Sequence, residues 1–216
     1  MNASWRRLSI PVLLLTVSVS GCGYNKIQQL DQQAKQARGN IDAELMRRND
    51  LIPNLVQTVQ GAAQFEKSTF VQVAQARSGV QQAAQQVANA VKSGAGPNEL
   101  AAADQNLSGN LRMFLNVAIE AYPQLRANQN FTALQDELTE TENRIAVARR
   151  DYNESVALYN TYIRQFPQVL TAKAISAKEK EPFQAPAGVA TPPQVKFDMG
   201  GSGTAPATAP AEAPAK

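Results

Sequence analysis

Histidine is absent from the 216-residue chain, and cysteine and tryptophan occur once each, as Cys22 and Trp5. Without histidine there is no Ser-His or Cys-His nucleophile pair, and the commonest metal ligand is missing. A single cysteine excludes an intramolecular disulfide and a thiolate zinc site. Charge is sparse and nearly balanced, 21 Lys+Arg against 18 Asp+Glu. No Lys/Arg cluster marks one face, so nucleic acid is not an expected partner. Asn-Gly and Asp-Gly hairpin signals and runs of β-branched residues are missing from the body of the chain. No phosphate loop, EF-hand loop or His-Glu metal motif occurs, so no cofactor and no metal is expected. The chain is read as non-catalytic.

What is present begins with an address. Arg6 and Arg7 precede an apolar run from Leu8 to Val19 that is broken only by Pro11 and small Ser/Thr. A basic start and a short apolar run have the form of a secretory signal, and a bilayer span needs about 20 apolar residues. The run ends Val19-Ser20-Gly21-Cys22, which resembles the lipobox of bacterial lipoproteins. Residues 1–21 are therefore expected to be a lipoprotein signal peptide, with Cys22 diacylglyceryl-modified and acylated (palmitate-type) after cleavage. Two or three acyl chains hold a protein stably at a bilayer, whereas one holds it only marginally. Gly23 after the cysteine favours the outer membrane, facing the periplasm, in a Gram-negative envelope.

The body, 22–181, has helical periodicity throughout. Ile27, Leu30, Ala34, Ala37, Ile41 and Leu45 step by three and four, the spacing of one helix face. A second stripe takes Leu55, Val59, Phe70, Val73, Ala74, Val80, Ala84, Val87 and Val91, and closes at Gly94-Ala95-Gly96-Pro97. A third runs through Leu100, Leu107, Leu111, Phe114 and Ala118 to Tyr122-Pro123, and a fourth from Leu134 to Phe166. Four amphipathic helices with short connections predict an all-α, antiparallel four-helix bundle rich in close Ala contacts. Pro53 either kinks one long helix or starts a new one, with the kink favoured. Residues 182–216 hold 7 of the 12 prolines. In this region 182–198 is expected to be an extended strap, with Phe183, Val195 and Phe197 packing on the bundle. Residues 199–216, rich in Pro and Ala, are expected to be disordered.

Several words of the sequence together resemble the LemA family. Arg47-Arg48-Asn49-Asp50-Leu51-Ile52-Pro53-Asn54-Leu55-Val56 is similar to its "R-R-x-D-L-I-P-N-L-V" signature. Gly61, Glu66, Ala76-Arg77, Ala121-Tyr122-Pro123, Glu140-Thr141-Glu142-Asn143-Arg144, Tyr152-Asn153 and Tyr159-Asn160 follow in the family's order. Two features depart from it. A lipobox stands where the family usually has a transmembrane anchor, and Phe65 stands where the family often has histidine before Glu66. The resemblance implies a membrane-anchored four-helix bundle outside the cytoplasm, with no established reaction. It also implies, by association, a protein partner of the TPM-domain or HtpX-type membrane metalloprotease kind.

Three groups of residues are candidate sites for partner binding or for setting helix register. The first is the polar set Arg47, Arg48, Asp50, Glu66, Arg77, Glu142 and Arg144, beside Pro53. Arg77 falls between Val73 and Val80, so a buried charge there needs a carboxylate from Glu142 or Glu66. The second is the repeat Tyr152-Asn153 and Tyr159-Asn160, whose members lie seven apart on shared helix faces. Tyrosine at such a place buries its ring and finds a partner for its hydroxyl, at a core edge or in a partner groove. The third is a Gln-rich face, Gln28, Gln29, Gln32, Gln33 and Gln36 with Gln81, Gln82, Gln85 and Gln86, which reads most simply as solvated surface. The leading expectation is a lipid-anchored scaffold or adaptor for envelope proteins. The alternative is a small-ligand carrier or a weak hydrolase built on the Glu/Arg cluster, although an Ala-lined bundle packs too tightly for a large cavity.

Overall fold

The computed structural model describes the backbone of residues 3–63 and 71–184, and the side chains of 23–62 and 71–184. The elements are α1 (Ala3–Ala63), α2 (Val71–Ser93), α3 (Pro97–Ala121), a 3-10 turn (Pro123–Ala127), α4 (Gln129–Arg164) and α5 (Gln168–Ala174). No strand occurs among the described residues. The described residues are all-α, with four long helices and one short one. Residues 1–186 group as one compact unit. Glu66, Phe70, Val195, Phe197, the side chain of Cys22 and the tail from 199 onward lie outside the described residues.

Each boundary has a local cause. Gly94 takes the left-handed backbone (φ 65°), and the amide of Ala95 reaches back to the carbonyl of Ala90 at 2.9 Å, the double turn that glycine permits at a helix end. Pro97 then opens α3, where its missing N–H costs nothing. Asn128 caps α4 through Oδ1, which accepts from the amide of Phe131 at 3.1 Å. α1 runs unbroken through Pro53. Pro53 is exposed, so the Asn49 carbonyl that loses its bond lies toward the hydrated side of the helix. The end of the first helix is thus Ala63 and not the neighbourhood of Pro53, and the span from Leu55 to Val59 belongs to α1.

Cross-helix contacts set the topology. Arg47 lies beside Glu137 and Ile27 packs with Ile163, so α1 and α4 are antiparallel. Asn106 donates to Gln86 at 2.6 Å, and a Cβ on Gly79 would meet Asn110, so α2 and α3 are antiparallel too. Arg38 donates to the carbonyl of Ala95 at 2.8 Å, which places the α2–α3 turn at the level of Arg38 on α1. All four helices therefore meet only along the part of α1 from about Arg38 onward, and the main core ends a turn lower at Ala34 and Ala37. Below it, α1 and α4 continue as a stalk, braced by α5 and by a small second core of Ile27, Leu30, Tyr159, Ile163 and Ala172.

Candidate functional site

Two polar constructions occupy the faces between α1 and α4, and both begin from helix periodicity. On α1 the buried positions run Leu45, Arg48, Ile52, Leu55, at steps of three and four. Arg48 thus sits in the apolar stripe, 2% exposed. On α3 Asp104 stands in the stripe between Leu100 and Leu107, 4% exposed. Arg48 donates to one carboxylate oxygen of Asp104 and Arg149 of α4 donates to the other, while Ser108 accepts from Arg48 at 3.1 Å. Three helices are thereby tied at one buried carboxylate. Burial pushes the Arg48 guanidinium down to about 10, with Glu142 opposing that shift and Arg149 adding to it, so Arg48 stays charged at neutral pH. Two guanidiniums share one carboxylate, and the Nε of each makes no hydrogen bond.

The second construction is the Tyr-Asn repeat. After α5 the chain reverses at Ser176, whose φ of 54° is the left-handed turn that sends residues 177–184 back along α4. Asn160 donates Nδ2 to the carbonyl of Lys180 at 2.8 Å and accepts its amide on Oδ1 at 2.9 Å. Asn153 treats Phe183 in the same way, at 3.0 and 2.8 Å. Between these clips the Tyr152 hydroxyl donates to the carbonyl of Glu181 at 3.0 Å. The Lys180 ammonium lies 5.1 Å from the centre of the Tyr159 ring and 2.8 Å from Asp31 on α1. Phe183, 4% exposed, meets Tyr152 edge-on at 5.3 Å, with the guanidiniums of Arg38 and Arg149 at 5.5 and 5.7 Å from its ring. Phe183 therefore also covers the outer side of the buried Arg-Asp-Arg group. Partial burial raises the Asp31 carboxyl, but Lys180 and Lys35 outweigh it and hold it below its ordinary value. Burial pushes both Tyr152 and Tyr159 up.

The other polar candidates do not converge on one point. Arg47 is exposed, 3.5 Å from Glu137, and Glu142 is 3.5 Å from Arg112 of α3. Arg144 lies along its own helix on Glu140, its Nε at 3.1 Å. Asp50 is exposed. Arg77 is half-buried at the helix edge, because α2 buries Ala76, Val80, Ala83, Val87 and Ala90 instead of a face centred on Val73. Its expected pairing with Glu142 does not form, since Glu142 is engaged by Arg112, and Glu66 lies outside the described residues. The Gln-rich positions are exposed. An open cleft of about 470 Å3 between α1 and α4 is bordered by Glu44, Glu140, Arg144 and Asp151. Asp104 and Arg149 were not among the expected residues. Their signal is a charged side chain on or beside an apolar stripe, the same signal that marks Arg48. No group of acidic or cysteine side chains among the described residues could hold a metal ion. No helix among them is long and apolar enough to cross a membrane.

The chain is 27% identical over 199 residues to the magnetosome protein MamQ of Magnetospirillum gryphiswaldense, covering 84% of this chain and 73% of that one. It is 28% identical over 181 residues to the magnetosome proteins MamQ 1 and MamQ 2 of Paramagnetospirillum magneticum, covering 76% of this chain and 66% of each. The chain thus spans about two thirds to three quarters of these relatives. The model of the LemA family matches residues 37–197, a segment that takes in both the buried Arg-Asp-Arg group and the Tyr-Asn clips, and the chain belongs to the LemA family.

Proposed function

We propose that this protein is a non-catalytic, lipid-anchored envelope lipoprotein whose bundle acts as a scaffold or adaptor for other envelope proteins. The observation that carries the reading is how the polar side chains are used. Arg48, Asp104 and Arg149 tie three helices together, and Tyr152, Asn153, Tyr159 and Asn160 hold an extended segment of the chain against α4. Both are devices for rigidity, and a rigid rod is what a scaffold needs. The MamQ relatives are named as magnetosome proteins, after a cell structure, and that naming supports an assembly role. A TPM-domain protein or an HtpX-type membrane metalloprotease is the class of partner the family association suggests.

The partner face is the exposed side of α1 at Arg47 and Asp50, above the stalk and away from the anchor. The test is capture from detergent-solubilised envelopes, with Arg47→Ala and Asp50→Ala as paired controls. Loss of one specific partner in both variants, with the protein still membrane-bound, supports the adaptor. An unchanged partner set in both would overturn this placement.

A further inference from the structure

The lower end of the stalk carries an apolar foot. Among the described residues seven large apolar side chains are exposed, and three of them, Tyr24, Phe166 and Leu170, belong to this end. Phe166 is 81% exposed and Leu170 60% exposed, in the turn before α5 and in α5 itself. α5 lies flush with the start of the described side chains of α1. A Cβ on Gly23 would stand 3.5 Å from Thr171 and 3.8 Å from Gln168. Gly23 directly follows Cys22 on the same helix. Whatever holds residue 22 at a bilayer therefore holds α5 at the same height. Lys26, Lys173 and Lys178 are exposed around it, which complements an anionic headgroup layer.

We propose that the Phe166–Ala174 segment is a membrane-docking foot. Phe166 and Leu170 enter the boundary between headgroups and acyl chains, and the three lysines meet anionic phospholipid. Interfacial elements of this kind pair large apolar side chains with Lys/Arg and lie in the plane of the headgroups. The foot would give the bundle a second point of contact, fixing the tilt of the rod as well as its attachment. This rests on the membrane-anchored reading above.

The test uses the full chain carrying Trp5→Phe, so that an introduced indole is the sole one. Phe166→Trp, Leu170→Trp and, as a control on α3, the exposed Met113→Trp are reconstituted in vesicles of phosphatidylcholine with a minor share of phosphatidylglycerol. Part of the lipid is brominated on the upper acyl chain, and flotation is scored first. The expected result is loss of emission at 166 and 170, with emission at 113 unchanged. Protein that floats without quenching at 166 and 170 overturns the foot and leaves the anchor standing. Protein that fails to float overturns both. Combined Lys26→Glu, Lys173→Glu and Lys178→Glu should relieve the quenching of Phe166→Trp. Full quenching in that variant would overturn the role given to anionic lipid.

Discussion

Asn153 and Asn160 stand one heptad apart on α4, and each pairs both backbone groups of one residue of the same extended segment, Phe183 and Lys180. The match is metric. Seven helical residues rise about 10.5 Å, and three extended residues span about 10 Å. A helix can therefore present the same side chain every seventh position and meet an extended chain every third. Each asparagine supplies both a donor and an acceptor, which is what the N–H and C=O of one residue need when they are removed from water.

Replacing Asn153 with Ala should leave the amide and carbonyl of Phe183 unpaired at a part-buried position, costing about 1–3 kcal/mol. Phe183→Ala should cost about 3–5 kcal/mol, since a buried ring is removed. Hydrogen exchange at the Phe183 amide and the denaturant midpoint are the measurements. An exchange rate unmoved by Asn153→Ala would mean that the clip does not hold the segment.

The Lys180 end of the same segment depends on pH through Asp31. Its carboxyl titrates below the ordinary 3.8 in the folded chain, so the ionised form favours folding. That contribution is complete above the unfolded value and fades as pH falls through the lower folded value. Loosening of residues 177–181 is expected only in acid, below about 4. Following the Tyr159 ring and Lys180 amide resonances through an acid titration checks this. Asp31→Asn should already show the acid spectrum at neutral pH. A transition centred in the range where tyrosine or lysine titrates would contradict it.

Asp104→Asn keeps the shape of the buried group but removes the carboxylate that both guanidiniums share, leaving them only the charge of Glu142. The expected loss is about 3–5 kcal/mol by urea titration. Arg77→Ala, at the helix edge, should cost well under half of that. Arg48→Met and Arg149→Met combined with Asp104→Leu should recover much of the loss, because a whole buried ionic group can often be replaced by packed apolar groups. If that triple variant is stable and still captures its partner, the buried charges serve structure alone. If it is stable and captures nothing, Arg48, Asp104 or Arg149 has a role in recognition.

Particular residues show why some of this architecture is legible in sequence and some is not. Ile27, Leu30, Ala34, Ala37, Ile41 and Leu45 mark α1 because one apolar face repeats at the helical period, and all six are buried. Arg48 and Asp104 occupy the same kind of position, yet a pattern counted in apolar residues alone passes over them. On α2 the small Ala76 and Ala83 carry the buried face, and the larger Val73 draws the eye to a neighbouring one, which rotates the expected stripe toward Arg77. The heptad of Tyr152-Asn153 and Tyr159-Asn160 is visible, but its partner is not. Lys180 to Phe183 has no periodicity and includes Pro182, so nothing local shows where it docks.

The last prediction concerns the joint between anchor and rod. α1 continues without a break from Gly23 to Ala63, so once residues 1–21 are removed the helix would start beside Cys22 itself and leave no linker between lipid and rod. A lipid on Cys22 would then fix both the height and the direction of the bundle. Arg47 lies 47 − 22 = 25 residues along α1 from Cys22, about 38 Å at the helical rise. A 20-residue Gly/Ser leash inserted after Gly23 should keep the protein on membranes while adding a flexible reach of roughly 25 Å. Capture of a partner rooted in the same bilayer should fall, because the matching height is lost. Cys22→Ala should instead release or misprocess the protein, with mass spectrometry of the wild-type N-terminus reporting the acyl chains directly. An unmodified mature N-terminus in the wild type would sink the lipid anchor. Undiminished capture with the leash would sink the geometric coupling while leaving the bundle untouched.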